Sequence, residues 1–175
     1  MKPLLRTIGH STRPVDVLIE ILKAHGIARL IDVRTIPKSR HNPQYNREAL
    51  EARLGEAGIE YEHMKALGGL RHPRRDSPNS GWRNESFRGY ADHMQTAEFA
   101  SALKALTSAA LREPVAIMCA EAVPWRCHRS LIADALTARG YRVEHIMSAT
   151  QSNAHAMTPF ARVEGESITY PVDDG

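Results

Sequence analysis

The run PVAIMC at residues 114–119 contains no charged side chain and is bounded by turn signals. A short, uninterrupted apolar run of this kind is typical of a strand covered on both faces of a parallel sheet. The residues that follow, AEAVPWRCHRS at 120–130, are polar and irregular, and apolar residues then recur at helical spacing from Leu131 until Gly140. The stretch therefore predicts a central strand, a polar loop and a helix.

The same alternation of strand and helix patterns continues along the chain. Strand patterns occupy residues 4–8, 29–33, 59–63, 114–119 and 142–147. Such alternation favours a parallel sheet with helices on both faces, joined by right-handed crossovers. We predict an α/β, single-domain, three-layer fold whose mostly parallel five-stranded sheet has the order 3-2-1-4-5.

The α/β domain is expected to span residues 1–150. Residues 151–175 are mostly polar, and we expect them to form a C-terminal extension packed on the same domain. Within this extension, residues 160–163 and 167–170 flank the turn-forming EGE at 164–166, a pattern that predicts a β-hairpin.

The composition suits one globular domain and argues against disorder and membrane insertion. The 175-residue chain is 42% hydrophobic and 25% charged. No apolar stretch approaches the roughly 18 residues that a membrane span requires. Because the N-terminal apolar residues are interrupted too early for a signal peptide, we expect a cytoplasmic protein. In that reducing compartment the two cysteines, Cys119 and Cys127, are expected to be thiols.

Arginine dominates the basic residues, since it accounts for 18 of the 23, at a net charge of +3. Guanidinium groups pair well with phosphate and carboxylate oxygens. The bias raises the expectation of an anionic partner only modestly, because arginine also prevails over lysine in many genomes for reasons unrelated to function.

Polar residues collect at the carboxyl ends of the predicted strands. GHST at residues 9–12 follows the first strand, CAE at 119–121 ends the fourth, and Asp32 and Arg34 end the second. Ligands of doubly wound sheets bind outside these ends, where the strand order reverses. We therefore expect these segments to form a site together.

Cys127, His128 and Arg129 fall near the N-terminus of a predicted helix. The free amides and the dipole of such a terminus favour an anion and can lower the pKa of a thiol, so Cys127 is a candidate nucleophile. The order of strand, cysteine, loop, arginine and helix resembles that of phosphatases and sulfurtransferases. The interval from Cys119 to Arg126 is, however, one residue longer than in phosphatases.

Two other interpretations of the cysteines stay open. Cys119 fits a core residue of the strand, and Cys127 fits a small residue at the start of a helix. Zinc is the third option, with Cys119, Cys127, His128 and His10 as ligands, but the cysteine spacing exceeds the usual interval of about two to four residues. A metal site is therefore not favoured, and the sequence implies no other cofactor.

The candidate residues fall into three groups. The candidates for acid, base or nucleophilic chemistry are His10, Glu121, Cys127 and His128. The candidates for anion binding are Ser11, Thr12, Arg34, Arg126 and Arg129, although Ser11 and Thr12 equally fit a helix cap. Asp32 and Cys119 are expected to support the site, Asp32 either by an ion pair with Arg34 that fixes the loop or by orienting Arg34 or His10.

Residues 65–86 lack periodicity and form an unusually long connection for a compact domain. In and just after it, one aromatic ring, Trp82, is surrounded by arginines: Arg71, Arg74, Arg75, Arg83 and Arg88. A charged loop is usually a solvated surface. Arginines around an aromatic ring also suit a phosphate backbone with a base stacked on the ring, so the loop predicts contact with single-stranded nucleic acid.

Several of these segments together point to a known family. They are TIGHST at 7–12, DVR at 32–34 with Pro37 and Ser39, YEH at 61–63, LGG at 67–69, CAE at 119–121 and CHR at 127–129. In this order they resemble the bacterial and archaeal family catalogued as domain of unknown function 488. The resemblance implies an α/β fold and a site, and it assigns no catalytic residue.

The sequence therefore favours a protein that binds a phosphate-bearing ligand, either a nucleotide or nucleic acid, at the carboxyl ends of its strands. Thiol or acid–base chemistry on that ligand is compatible with the residues present. The alternative is a non-catalytic module that binds nucleic acid or acts as an adaptor, in which the cysteines are structural. The choice between an enzyme and such a module stays open at this point.

Overall fold

A computed structural model describes residues 2–172 as a three-layer α/β fold. The main sheet contains β1 (Leu4–Gly9), β2 (Arg29–Asp32), β3 (Glu60–His63), β4 (Val115–Cys119), β5 (Arg142–Ile146) and β6 (Ser152–Ala154). The helices are α1 (Val15–Ala24), α2 (Arg47–Glu56), α3 (Glu85–His93), α4 (Ala97–Arg112) and α5 (Arg129–Ala138). The predicted fold class and its parallel core are confirmed.

The strand order differs in detail from the expected one. The sheet runs β3-β2-β4-β1-β5-β6, so β1 and β4 exchange places relative to the prediction, although they are neighbours as expected. All five residues of β4 are buried, whereas Leu4 and Arg6 of β1 are half-buried. The least polar strand therefore lies between β1 and β2, where helices cover both faces.

Two apolar clusters hold the helices against opposite faces of the sheet. One cluster joins α1 and α2 to side chains such as Ile8, Leu30 and Met118. The other joins α3, α4 and α5 to the alternate strand positions, among them Ile31 and Ile117. Because side chains alternate across a strand, neighbouring residues of β2 and β4 contribute to different layers.

The C-terminal segment adds two elements to this core. Strand β6, a short polar strand that the sequence pattern did not predict, pairs antiparallel with β5. Strands β7 (Arg162–Glu164) and β8 (Ser167–Thr169) form the predicted hairpin, with Gly165 at a φ of 64° in the turn. Ile168 and Tyr170 extend the second apolar cluster. Within residues 2–172, none of the helices combines the length and apolarity needed to cross a membrane.

Candidate functional site

The carboxyl ends of β1, β2 and β4 meet at one edge of the sheet. The amide of His10 donates to the carbonyl of Cys119 at 2.9 Å, and the amide of Val33 donates to that of Met118 at 3.0 Å. His10, Asp32 and Cys119 therefore lie at one edge, as predicted. Gly9 is required there, because a Cβ at this position would overlap the carbonyl oxygen of Glu121.

A cavity of about 350 Å³ opens at this edge. Its charged lining residues are Arg34, Lys38, Glu121 and Arg126. Both cysteines and His128 also line it, and Tyr90 and Phe87 supply aromatic walls. The structure thus brings together five of the predicted site residues, namely Arg34, Glu121, Arg126, Cys127 and His128, with the supporting residue Cys119.

Arg34 is held rigidly by Asp32. Its Nε donates to Oδ1 of Asp32 at 2.9 Å and its Nη2 donates to Oδ2 at 2.7 Å, so the contact is bidentate. The hydroxyl of Tyr61 donates to the same Oδ2 at 2.6 Å, and burial raises the pKa of this phenol well above its usual range. The predicted ion pair is present, and it fixes the plane of the guanidinium group.

The third nitrogen of this guanidinium group, Nη1 of Arg34, is different. Arg34 is only 6% exposed, yet Nη1 has no hydrogen-bond partner among residues 2–172. A buried donor left unpaired costs about 1–3 kcal/mol, so proteins rarely retain one without a purpose. The residue that carries it lines the cavity.

Arg129 does not line the cavity, which differs from its predicted role as an anion ligand. The fully buried guanidinium donates from Nη1 to the carbonyl of Glu121 at 2.5 Å and from Nη2 to that of Ala122 at 3.0 Å. Nη1 also lies 3.0 Å from Sγ of Cys119. Burial lowers the pKa of Arg129 to about 10. This arginine therefore shapes the loop that follows β4.

The structure places the sulfur atoms of Cys119 and Cys127 in contact, an arrangement that the sequence did not predict. The cause is local geometry. A single 3-10 turn at Pro124–Arg126 returns the chain to the end of β4, so the two Cα atoms are 7.4 Å apart and the sulfur atoms are in contact. Cysteine spacing along the sequence could not reveal this turn.

His128 precedes α5, as predicted, and faces Cys127. Its Nε2 lies 2.9 Å from the carbonyl of Val33, so this nitrogen carries the proton and donates it. The other nitrogen, Nδ1, lies 3.6 Å from Sγ of Cys127. Burial lowers the pKa of His128 to about 4, and the imidazole is therefore neutral at physiological pH.

His10, Ser11 and Thr12 lie outside the cavity lining. The His10 ring stacks on Tyr45 with centroids 4.0 Å apart, and its Nδ1 donates to the carbonyl of Ser11 at 2.7 Å. Burial lowers the pKa of His10 to about 4. The expected helix cap at Ser11 or Thr12 is wrong, because α1 begins after Pro14 and no side chain caps it.

The long loop owes its order to Asp92 of α3. This buried carboxylate accepts hydrogen bonds from the amide of Arg74 at 2.8 Å, the hydroxyl of Ser77 at 2.5 Å and the side-chain amide of Asn79 at 2.7 Å. Asn79 in turn accepts from the amide of Tyr170 at 2.9 Å. The loop length that had suggested a functional surface thus has a structural explanation.

The aromatic and basic residues of this loop are only partly assembled. Trp82 packs against Phe87, Phe160 and Tyr170, with ring centroids 4.8–5.5 Å apart. Arg71 folds back onto the carbonyls of Lys65, Ala66 and Gly68. A separate cavity of about 400 Å³ is lined by Arg74, Arg75, Arg88 and Glu85, and Arg83 is exposed outside it.

Sequence reasoning missed three groups that the structure makes prominent. Lys38 lines the cavity, and Tyr61 supports Asp32 from the neighbouring strand β3. Tyr61 could have been found from the sequence, because the predicted order places its strand beside the strand that ends at Asp32. The carboxyl ends of neighbouring parallel strands lie at the same edge of the sheet. The third group is a buried network of polar side chains that donate hydrogen bonds to Asp134, and no sequence motif marks it.

No metal site is evident in the described part of the chain. Among residues 2–172, no group of three or more His, Cys, Asp or Glu side chains has the arrangement of a metal-ion site. Of the four residues considered as zinc ligands, His10 stacks on Tyr45 outside the cavity lining, whereas both cysteines and His128 line the cavity.

The fold and the site define an α/β protein with a cationic cavity at the carboxyl ends of its parallel strands. Residues 14–136 match the model of the family described as domain of unknown function DUF488. The match covers more than half of the chain, and the protein belongs to this family. No curated protein and no solved structure shows a significant match.

Proposed function

We propose that the protein binds a small phosphate-bearing ligand in the cavity beside Arg34. The observation that carries the proposal is the unpartnered Nη1 of this buried guanidinium group. A phosphate oxygen accepts well from such a donor, and a charge-assisted hydrogen bond of this kind is worth about 1.5–3 kcal/mol.

The rigidity of Arg34 supports the proposal. Because Asp32 holds Nε and Nη2, little side-chain entropy is lost when Nη1 binds an anion. The donor is therefore already oriented before the ligand arrives. An exposed arginine on a flexible loop would have to be ordered first.

The charges around the cavity support an anion that carries more than one negative charge. Arg34, Lys38 and Arg126 contribute three positive charges, and the Glu121 carboxylate contributes one negative charge. Oε1 of Glu121 accepts a hydrogen bond from the amide of Val123 at 3.2 Å, which ties this carboxylate to its own loop. A phosphate monoester balances the remaining charge better than a single carboxylate does.

Titration of the isotope-labelled protein with inorganic phosphate tests the proposal. We expect a saturable shift of the Arg34 Nε–H signal in nuclear magnetic resonance spectra. Arg34→Gln should weaken binding about 10- to 100-fold, because it removes the charge-assisted donor. The exposed Arg142→Gln, at the opposite end of the sheet, is the matched control and should leave affinity unchanged.

A second variant keeps the test decisive if Arg34→Gln does not fold. Arg126 is exposed, so Arg126→Gln should preserve the fold and weaken phosphate binding by a few fold. The proposal is wrong if the Arg34 signal of the wild-type protein does not respond to phosphate. It is also wrong if folded Arg34→Gln binds phosphate as tightly as wild type.

A second candidate function is contact with single-stranded nucleic acid along the arginine-rich loop. The observation that favours it is the clustering of Arg74, Arg75 and Arg88 around one cavity. Fluorescence anisotropy with short DNA and RNA at several salt concentrations tests it, since each phosphate contact steepens the salt dependence. Arg74→Gln combined with Arg75→Gln should flatten that dependence, and absence of binding at low salt removes this candidate.

A further inference from the structure

The sulfur atoms of Cys119 and Cys127 meet on the wall of the proposed anion cavity. Cys119 ends the central strand β4 and is 2% exposed, whereas Cys127 immediately precedes the turn into α5 and is 7% exposed. A disulfide between Cys119 and Cys127 closes only a short loop, because the two residues are eight positions apart in sequence. The two apolar clusters pack the helices on the sheet, so we expect the fold to persist when this local link is reduced.

The groups around the sulfur atoms suit a reduced state as well as an oxidised one. Sγ of Cys119 lies 3.6 Å from the carbonyl of Glu121, to which a thiol can donate. Sγ of Cys127 lies 3.5 Å from the amide of Arg129 and 3.6 Å from Nδ1 of His128. Each sulfur therefore has a polar partner when the S–S bond is broken, and both states fit the same surroundings.

The cationic contact is the feature that a permanent disulfide does not need. Nη1 of the buried Arg129 lies 3.0 Å from Sγ of Cys119. A disulfide sulfur is uncharged and accepts hydrogen bonds only weakly, whereas a thiolate is stabilised by a guanidinium group and by the amides at a helix N-terminus. These surroundings therefore suit a cysteine that alternates between a thiolate and a disulfide.

We propose that Cys119 and Cys127 form a reversible dithiol–disulfide couple that exchanges with anionic low-molecular-weight disulfides in the cavity. The anionic class of the substrate rests on the proposed function, because Arg34 and Arg126 would bind its negative groups. The exchange itself rests only on the cysteine pair and its neighbours.

The exchange proceeds in two balanced steps. The thiolate of Cys127, the more exposed cysteine, attacks one sulfur of the substrate R–S–S–R, which forms a mixed disulfide and releases RS⁻. The thiolate of Cys119 then attacks Sγ of Cys127, which forms the protein disulfide and releases the second RS⁻. The two protons lost by the cysteines end on the two released thiols. Two electrons pass from the protein to the substrate, and a dithiol reductant restores the two cysteine thiols by analogous exchange while it becomes a disulfide itself.

The reduced, folded protein can be tested with dithiobis(nitrobenzoate), an anionic disulfide whose released thiol is coloured. Wild type should release two equivalents per chain and gain no mass, because its own disulfide forms. Cys119→Ser should release one equivalent and retain the mixed disulfide. Cys127→Ser should react at least about tenfold more slowly than Cys119→Ser, because its remaining thiol is the more buried one.

The measurement on the wild-type protein shows whether the exchange occurs, even if a cysteine variant does not fold. Two equivalents with an intramolecular disulfide, reversed by a dithiol with retention of the circular dichroism spectrum, support the couple. Two persistent mixed disulfides, or no reaction of the folded protein, overturn it. A disulfide that a dithiol reduces only after the protein unfolds also overturns it.

A neutral disulfide separates this inference from the proposed function. Arg34→Gln should slow the anionic probe about tenfold and leave dithiodipyridine unaffected, while the exposed Arg142→Gln should slow neither. If Arg34→Gln reacts with both probes at the wild-type rate, the anionic substrate class is wrong. Release of two equivalents would still support the redox couple in that case.

Discussion

Two buried aspartates, Asp32 and Asp134, show how similar groups serve different ends in this protein. Neither has any exposed surface. Asp134 accepts from Nε2 of His155 at 2.7 Å, from the amide and hydroxyl of Thr158 at 3.1 and 2.6 Å, and from the hydroxyl of Tyr170 at 2.8 Å. All these donors are satisfied within the described part of the chain, and they tie α5 to the C-terminal segment.

The polar chain extends beyond Asp134 without leaving a free group. Since Nε2 of His155 donates to the carboxylate, its Nδ1 accepts from Nε2 of His145 at 2.8 Å. Nδ1 of His145 then accepts from the hydroxyl of Thr7 at 2.6 Å. Asp32, by contrast, holds Arg34 and leaves Nη1 of that residue unpaired. The closed network indicates a structural role, and the unpaired donor of a residue that lines the cavity is the basis of the ligand proposed above.

The largest expected effect is that of Arg34→Gln on stability and on its dependence on phosphate. The substitution leaves the buried Asp32 carboxylate without its charged partner, so the free energy of unfolding should fall by about 3 kcal/mol. Phosphate should stabilise wild type against urea and should not stabilise the variant. Equal phosphate stabilisation of both proteins would contradict the role assigned to Arg34.

Asp134→Asn should lower the free energy of unfolding by about 2 kcal/mol, because an amide cannot satisfy all four donors. Phosphate affinity of the folded variant should match that of wild type. Asp16→Asn, an exposed aspartate on α1, is the control and should change stability by less than about 0.5 kcal/mol. Weaker phosphate binding in Asp134→Asn would break the distinction between the two networks.

The Asp134 network also predicts a pH dependence. Burial lowers the pKa of His145 from 6.5 to about 4, so the unfolded chain binds a proton in this interval that the folded protein does not. Stability should therefore be fully present above pH 6.5 and should fall as the pH decreases towards 4. The slope of the unfolding free energy against pH reports how many more protons the unfolded state binds. His145→Asn should lower that number by about one. Urea denaturation at several pH values measures this, and an unchanged slope would contradict it.

The smallest expected effect is that of Arg74→Gln combined with Arg75→Gln. Both side chains are exposed and lie at the other cavity, so stability should change by less than about 0.5 kcal/mol. Phosphate affinity at Arg34 should stay at the wild-type value. A loss of affinity comparable to that of Arg34→Gln would show that the two cavities act as one site.

The fold class and the edge that carries the site were predictable from local patterns. The uncharged run in β4 marked a central strand, and residues at the ends of neighbouring strands marked the edge where Asp32, Arg34 and Cys119 meet. The exchange of β1 and β4 was not predictable, because the crossovers that skip a strand leave no periodic signal. β6 was missed because its three residues include no large apolar side chain and show no alternation of apolar side chains.

The site itself was only partly predictable, because several of its contacts depend on how the chain folds rather than on neighbouring residues. The Asp32–Arg34 pair is local and was expected. The contact of Cys119 with Cys127 depends on the turn at Pro124–Arg126, and the use of Arg129 on loop carbonyls depends on its burial. The order of the long loop depends on Asp92, which lies in the helix that follows it. None of these contacts is signalled by a characteristic sequence spacing.

Crystals of the protein soaked with tungstate, an electron-dense analogue of phosphate, test the central claim most directly. We predict an anomalous peak in the cavity with an oxygen within about 3 Å of Nη1 of Arg34. The peak should disappear in crystals of Arg34→Gln. Tungstate bound only at other surfaces, with Nη1 of Arg34 still unpaired, would contradict the account.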